Sequence, residues 1–388
     1  QPGWPMPYQD TSLGTTDTGG NVAGGGSITA TFYGPYVDIF DNCGTDSLTQ
    51  TDNIDWGSSG GTDCVTPGFG GAGNTHASRT GFYELNKIIE MARSQLPSNS
   101  WLQSRLRSNM NINNTCNAFW NGTVNFYRSG GGCANTGEIA GVFDHEWGHG
   151  MDANDTTPGI ASPSGEGIAD IYTALRLNDS CIGRNFRPGI NCGGFGDPCL
   201  ACTGVRDIDY LKHASGQPHT YTWSNSTCGS SVHCIGHVYS EAVWSLWKRK
   251  LQQAPYGYDN NTAWEIVNRL TFIGAGATGT WFSGGPPEGG CAASSGYMNY
   301  LAADDDNGNL NDGTPHMTAI YESFNDQEIA CQTPTVQDSG CAGTPTVAPT
   351  VTTGNGCNPG PGPSAAACRT PISIRGVFWS PMYFAAFS

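Results

Sequence analysis

The sequence is poor in charged residues, and basic residues are the scarcer sign. Only 13% of its 388 residues are charged, and 17 Lys and Arg face 33 Asp and Glu, which leaves a formal net charge of −16. This shortage of basic residues excludes a nucleic-acid binder that works by electrostatic attraction. The low charge content also argues against a charge-dense disordered chain. The length allows one large domain or a few smaller ones with a sizeable core.

Long apolar runs and a signal peptide are also missing. No stretch of about 18 consecutive apolar residues occurs, so we expect no membrane-spanning helix. The chain begins at Gln1 without the charged and apolar regions of a signal peptide. We therefore expect a mature form from which targeting segments have been removed. The 15 cysteines are many for a reducing cytosol, which predicts a secreted, extracellular protein.

Several cysteines follow each other at short spacings. These neighbours are Cys43/Cys64, Cys116/Cys133, Cys181/Cys192, Cys228/Cys234 and Cys341/Cys357. An odd total leaves at least one cysteine without a partner in the chain. The segment Cys199-Leu-Ala-Cys202 is also compatible with a structural zinc site, but the cysteine-rich background favours disulfides.

The apolar pattern predicts a mixture of strands and helices. We expect strands within 27–40 and 123–128, and helices from 82 to before Pro97, over 136–152, around Ile168 to Leu175, and over 236–251 and 262–273. A further helical piece is expected at 101–107. Residues 178–235 read as irregular. Trp244, Trp247 and Trp264 recur at helical spacing and are predicted to be core residues.

The segment His145-Glu146-Trp147-Gly148-His149 matches H-E-x-x-H on a predicted helix. Positions i and i+4 project from one face, so two imidazoles can bind one zinc ion. Glu146 then lies beside the position where water binds, as a general base requires. The alternative is a chance pentapeptide in a core helix.

A second acidic motif follows this helix at a short distance. Glu166 lies 17 residues after His149, and Asp170 follows one helical turn later. Glu166 is therefore a candidate third zinc ligand, which leaves the fourth position open as in catalytic sites. Asp170 can accept the outer N–H of a zinc-bound imidazole and fix its orientation. The alternative is a solvated helix N-terminus, where acidic residues are favoured by the helix dipole.

The order of these motifs resembles the thermolysin family of zinc peptidases and the related fungalysin-like peptidases. The resemblance covers about residues 110–250 and is carried by Asn117-Ala118-Phe119-Trp120, the H-E-x-x-H helix and the Glu166 to Asp170 segment. It implies an edge strand at which Asn117 and Ala118 bind an extended peptide substrate. This is physically reasonable, because an extended peptide can pair with an exposed strand edge through main-chain hydrogen bonds.

The resemblance also implies a histidine that donates a hydrogen bond to the oxyanion. The segment from His237 to Ser240 is similar to the family's H-x-x-S motif, and His233 is a rival. The loop between His149 and Glu166 departs from the family, because it is short and has no tyrosine to act as a second oxyanion donor. The cysteine-rich insert and the C-terminal tail have no counterpart in the family pattern.

An acidic loop at 304–313 suggests a calcium site. Its hard oxygen donors and glycines fit Ca²⁺, although the glycine positions do not match an EF-hand. The candidate ligands are Asp304, Asp306, Asn307, Asn309 and Asp312. The alternative is a surface loop of Asx-turns. His316 either joins this site or caps a helix.

We expect an α+β fold of two lobes, as the resemblance implies: a β-rich lobe (1–152) that carries the edge strand and the H-E-x-x-H helix, and a mainly helical lobe (153–332). Residues 333–388 read as a Thr/Pro/Gly-rich stalk with an apolar end that can associate with another chain. The leading function is a secreted zinc metalloendopeptidase acting on protein or peptide substrates. The alternative is an extracellular assembly protein on a peptidase scaffold.

Overall fold

The computed structural model describes residues 26–44, 46–51, 64, 75–155 and 164–339. This part of the chain forms a mixed α/β fold with eight α-helices and eight short strands. The strands are β1 (Ser27–Thr31), β2 (Val37–Asp41), β3 (Ser47–Thr51), β4 (Leu106–Ile112), β5 (Ala118–Trp120), β6 (Val124–Tyr127), β7 (Cys181–Ile182) and β8 (Arg206–Asp207). The helices are α1 (His76–Gln95), α2 (Ala140–Asp152), α3 (Ser164–Leu177), α4 (Tyr221–Thr227), α5 (Val232–Ser245), α6 (Asn260–Gly274), α7 (Gly296–Asp304) and α8 (Met317–Asp326).

A four-stranded sheet in the order β2-β4-β6-β5 positions the site. Strand β4 pairs in parallel with both β2 and β6, whereas β5 runs antiparallel to β6 at the sheet edge. Ala118 lies opposite Phe126 and Trp120 opposite Val124. The predicted edge position of this segment is therefore confirmed, and the free edge of β5 keeps unpaired backbone groups.

Strand β4 corrects the prediction of a helical piece at 101–107. Only a 3₁₀ turn forms there, at Trp101–Gln103, and the extended strand begins at Leu106. The polar residues of this strand are buried because they find partners inside the fold. Asn111 donates through Nδ2 to Oδ1 of Asp41 at 2.9 Å and accepts from Asn135 at 2.7 Å. Buried amides are tolerated when such bonds are made.

Helices α2, α3 and α5 pack in succession, and small residues set their spacing. A Cβ on Gly148 of α2 would lie 2.6 Å from the Cα of Ala169, so only glycine permits this close approach of α2 to α3. A Cβ on Gly167 of α3 would lie 1.8 Å from the ring of Tyr239 on α5. The two glycines therefore bring three helices into direct contact, because core packing leaves no room for added atoms.

Helix α2 is buried on nearly all sides. Trp147 and Phe143 are fully buried, and Trp147 contacts Tyr172 of α3 edge to face with ring centroids 5.5 Å apart. The buried carboxylate of Asp144 accepts a 2.5 Å hydrogen bond from Nε of Arg176. A helix with no polar face needs such partners for each acidic or basic side chain that it buries.

The C-terminal half is mainly helical, but it contains three helices that the apolar pattern did not reveal, α4, α7 and α8; α4 lies within the range 178–235 that was predicted to be irregular. Helix α5 continues through a π-helical turn at Leu246–Lys250, in agreement with the prediction for 236–251. Trp244 and Trp247 are buried in the core as predicted, whereas Trp264 is only partly buried against it.

Six disulfides link the described cysteines. They are Cys43–Cys64, Cys116–Cys133, Cys181–Cys202, Cys192–Cys199, Cys228–Cys234 and Cys291–Cys331. Three of the five sequence neighbours are bonded, but Cys181 and Cys192 bond to Cys202 and Cys199 instead. This pairing also removes the alternative of a zinc site at Cys199 and Cys202, since both thiols are oxidised. Cys341 and Cys357 lie outside the described residues.

Within the described ranges, no helix is both long and apolar enough to cross a membrane. Most of the predicted stalk and its apolar end at 371–388 lie outside these ranges, and the boundary between two lobes at 152/153 stays a prediction. The assembly role expected of the tail stays a prediction for the same reason.

Candidate metal centre

A cavity of about 520 Å³ opens between the edge strand β5, helix α2 and the start of α3. Its wall includes Asn117 and Ala118 on the strand side and His145, Glu146 and His149 on the helix side. The cysteine-rich segment, residues 178–235, forms another part of the wall, with Phe186 and Val205 among its lining residues. The H-E-x-x-H face of α2 and the free strand edge therefore border one cavity.

The two histidines of α2 and the glutamate of α3 converge in this cavity. Nε2 of His145 lies 3.2 Å from Nε2 of His149 and 3.3 Å from Oε2 of Glu166. Nε2 of His149 lies 3.8 Å from Oε1 of Glu166. Helical spacing brings the rings together, and the contact between α2 and α3 at Gly148 brings the carboxylate to them.

These separations fit a tetrahedral zinc ion. Ligand atoms about 2.0–2.1 Å from such an ion lie about 3.3–3.4 Å apart. The two imidazole nitrogens lie 3.2 Å apart, and the nearest Glu166 oxygen lies 3.3 Å (Oε2) from His145 and 3.8 Å (Oε1) from His149, so the separations are near this edge length, with a different carboxylate oxygen nearest to each ring. The donor set of two imidazoles and one carboxylate also matches a catalytic zinc site that keeps one position open.

Asp170 fixes the orientation of one ring. Its Oδ1 lies 2.9 Å from Nδ1 of His145, which turns Nε2 toward the cavity. Arg206 holds the other side of the same carboxylate, with Nε donating to Oδ2 at 2.5 Å and Nη2 to Oδ1 at 2.8 Å. Nη2 of Arg206 also lies 3.3 Å from Oε2 of Glu166. One buried guanidinium therefore ties both acidic residues of α3 together.

Two of the three candidate ligands have the charge state that binds a metal ion, whereas His145 has to release a proton to do so. Burial lowers the pKa of His145, but its hydrogen bonds to Asp170 and Glu166 outweigh burial and raise that pKa to about 10. Burial raises the pKa of Glu166, but its hydrogen bond to His145 and the charges of His145 and Arg206 outweigh burial and hold that pKa well below its usual range. Burial and the neighbouring His145 lower the pKa of His149 to about 3. Glu166 is thus anionic and His149 neutral, which are the states that bind a metal ion.

Glu146 borders the cavity without an ionic partner. Its side chain is 94% buried, and within the described residues it forms no hydrogen bond or ion pair, unlike Glu166 and Asp170. Burial, with the nearby Glu166 charge, raises its pKa to about 7. A carboxyl group poised near neutral pH can both take and return a proton.

The structure places His233, not His237, at the cavity. Nε2 of His233 lies 3.3 Å from Oε1 of Glu166, and half of its side chain is exposed. His237 is fully buried one turn further along α5, where Nε2 lies 2.7 Å from the carbonyl oxygen of Asp207. The prediction that His237 faces the substrate is therefore wrong in position. Helix α5 begins at Val232, so only its first turn reaches the cavity.

Several predicted calcium ligands of the acidic loop at 304–313 have hydrogen-bond partners within the protein, and calcium binding there stays a prediction. The carboxylate of Asp304 accepts bonds from Oγ1 of Thr314 at 2.7 Å and from the backbone and Nδ1 of His316 at 2.6 and 2.7 Å. Asn307 donates to Oδ2 of Asp312 at 3.0 Å. Asp306 and Asn309 belong to the same loop, yet no cluster of metal-ligating acids forms there among the described residues. His316 bonds to Asp304 and thereby joins the loop to the start of α8.

Arg206 is the site residue that sequence reasoning missed. It lies in the irregular segment, 36 residues beyond the Asp170 carboxylate that it contacts, and no motif marks it.

No protein-family model matches the chain, and no curated protein matches it. Among solved structures, the chain is similar to the precursor of protealysin, a metalloproteinase from Serratia proteamaculans, with 13% sequence identity and a TM-score of 0.49. The likeness covers 76% of this chain and 87% of that one. Similarity at this level carries no argument about fold or function, so a function for this chain has to be inferred from the site geometry.

Proposed function

We propose that this protein is a secreted, zinc-dependent endopeptidase. The observation that carries the proposal is the convergence of His145, His149 and Glu166 at tetrahedral ligand spacing, beside Glu146 in an open cavity. A zinc ion bound there supplies a Lewis acid that polarises water and the scissile carbonyl. The described disulfides favour the oxidising compartment that secretion implies.

Glu146 is the proposed general base. Its carboxylate takes the proton of the attacking water and later donates it to the nitrogen of the leaving amine. Burial keeps water from competing for the carboxylate, and its raised pKa suits a group that must both accept and release a proton. His233 donates a hydrogen bond through Nε2 to the developing oxyanion, since it lines the cavity with Nε2 3.3 Å from Oε1 of Glu166.

The free edge of β5 is the proposed binding surface for the peptide backbone. Asn117 and Ala118 border the cavity at the end of this strand, whose other edge is already paired with β6. An extended substrate can add to such an edge through main-chain hydrogen bonds. The substrate then lies across the face of α2 that carries the two histidines.

The test combines metal analysis with hydrolysis assays on the purified chain. We expect zinc by mass spectrometry and casein hydrolysis that 1,10-phenanthroline abolishes. Glu146→Gln should keep the zinc and lose about 10²–10⁴-fold in kcat. Glu90→Gln is the matched control, because Glu90 lies on the surface of α1 in a weak 3.5 Å pair with Lys87.

Two results would overturn this proposal. Hydrolysis by zinc-free protein would remove the metal from the reaction. Undiminished hydrolysis by Glu146→Gln, with Glu90→Gln behaving as wild type, would remove Glu146 from the role of base.

A further inference from the structure

A second group of metal-ligating side chains lies outside the cavity. His213, His219, His237 and Glu241 are each at most 2% exposed, and one ligand atom from each lies within 4.8 Å of the others. His237 and Glu241 stand one turn apart on α5, and the other two histidines come from the cysteine-rich segment. None of the four borders the cavity that holds His145.

The donor atoms of this group surround one point. Oε1 of Glu241 lies 2.6 Å from Nδ1 of His219 and 3.4 Å from Nε2 of His237. The carbonyl oxygen of Asp207 lies 2.7 Å from Nε2 of His237 and 2.7 Å from Nε2 of His213. Three imidazole nitrogens and two oxygens therefore form one connected polar cluster in the core.

The hydrogen bonds of His213 leave one nitrogen without a suitable partner. Its Nδ1 lies 2.7 Å from the carbonyl oxygen of Asp197, and its Nε2 faces the carbonyl oxygen of Asp207. A neutral imidazole carries one N–H, so it can donate to only one of these two acceptors. If Nδ1 donates to Asp197, the lone pair of Nε2 points at another lone pair unless the ring is protonated and donates from both nitrogens, or a metal ion lies beside Nε2.

Asp197 also faces the outer nitrogen of a second ring. Its Oδ2 lies 3.3 Å from Nε2 of His219, the nitrogen that points away from Glu241. Metal-ligating histidines commonly present their other nitrogen to a carboxylate or a backbone carbonyl. Asp197 offers both groups, one to His213 and one to His219, much as Asp170 serves His145 in the cavity.

We propose that His213, His219, His237 and Glu241 bind a second, structural zinc ion. Three imidazoles and a carboxylate suit zinc among the transition metals, and four protein ligands make the closed site typical of a structural role. The alternative is an ion pair between His219 and Glu241 that stabilises the core without a metal ion.

The ion would join the cysteine-rich segment to α5 at a place that matters for the cavity. Arg206 directly precedes Asp207, whose carbonyl oxygen faces the second group, and His233 stands one turn before His237 on α5. Both Arg206 and His233 contact Glu166. A bound ion would thus restrict the movement of Arg206 and His233, which both line the cavity.

The test is anomalous diffraction from crystals of the full chain grown with zinc alone, recorded on both sides of the zinc absorption edge. We expect two peaks, one at His145 and one among the four buried residues. A single peak at His145 would overturn the second site and leave the proposed peptidase intact. A single peak at the buried group would support the second site and contradict the proposed function.

Metal counts on variants provide a second measurement that needs no crystals. Wild type should contain two zinc ions per chain after dialysis against a chelating resin. His149→Ala and His219→Gln should each contain one, and in His219→Gln added zinc should no longer raise the thermal midpoint beyond the effect of the cavity ion. Two zinc ions in folded His219→Gln would refute the assignment, with folding checked by near-ultraviolet circular dichroism.

Discussion

Replacing Asp170 with Asn tests how the cavity is organised. The aspartate is 1% exposed and accepts from Nδ1 of His145 at 2.9 Å and twice from Arg206, at 2.5 and 2.8 Å. The amide introduced by Asp170→Asn would keep one acceptor oxygen but no charge. Arg206, itself 4% exposed, would then face only Glu166 at 3.3 Å.

Two magnitudes can be estimated from these contacts. Removing one partner of a buried ion pair costs about 3–5 kcal/mol, and the remaining Glu166 places this case near 3 kcal/mol. For a chain of this size that corresponds to a fall of about 6 °C in the thermal midpoint, at about 2 °C per kcal/mol. Loss of a carboxylate behind a ligating imidazole weakens zinc binding about 10–100-fold.

The assay is zinc affinity by competition with a chromogenic chelator, with thermal unfolding measured on the same preparations. Asp144→Asn is the matched control. It removes a buried α2 carboxylate from its contact with Arg176 of α3, while Glu84 continues to hold that guanidinium at 2.6 Å. The control should lose stability and keep zinc affinity. Asp170→Asn with wild-type zinc affinity would refute the claim that Asp170 orients His145.

Three further substitutions test other parts of the structure. His233→Ala should lower kcat about 10²–10³-fold with little change in KM, because an oxyanion donor acts mainly in the transition state; a larger effect on KM would contradict that role. Gly167→Ala places a Cβ 1.8 Å from the Tyr239 ring and should cost about 3 kcal/mol or more in chemical unfolding. Replacing Cys291 and Cys331 by Ser opens a 40-residue loop and should cost about 4 kcal/mol.

The substitutions His233→Ala and Gly167→Ala each have a control of the same residue type. His76 is half exposed at the start of α1 and pairs only with Glu138, at 3.1 Å, so His76→Ala should leave kcat unchanged. A Cβ on Gly193 would meet no atom within 4 Å, so Gly193→Ala should change stability by less than about 0.5 kcal/mol. A Gly167→Ala protein as stable as Gly193→Ala would disprove the tight contact between α3 and α5.

The convergence of His145, His149 and Glu166 could be anticipated because local geometry dictates most of it. A spacing of four residues places two side chains on one helix face whatever the rest of the chain does. Asp170 follows Glu166 by the same rule. The loop that joins α2 to α3 is short, so the second helix has few ways to return past the first.

Other features depend on contacts that the sequence does not announce. Strand β4 carries Ser108, Asn109 and Asn111, and its polar composition conceals a buried strand until the partners of these side chains are known. His233 and His237 lie four residues apart and so share one face of α5. Only the position at which α5 begins decides which of the two is exposed to solvent. Arg206 contacts Asp170 from within the irregular segment 178–235. That segment has no apolar periodicity from which its path could be predicted.

The disulfide between Cys228 and Cys234 has a consequence for how the cavity is completed. It joins the end of α4 to the first turn of α5, and His233 directly precedes Cys234. The disulfide restricts the unwinding of this turn, although helix ends are otherwise the first parts of a helix to open. In a chain held reduced, His145, His149 and Glu166 would still meet, but His233 would be free to swing away. The position of His233 therefore depends on this disulfide, whereas the convergence of the three candidate zinc ligands does not.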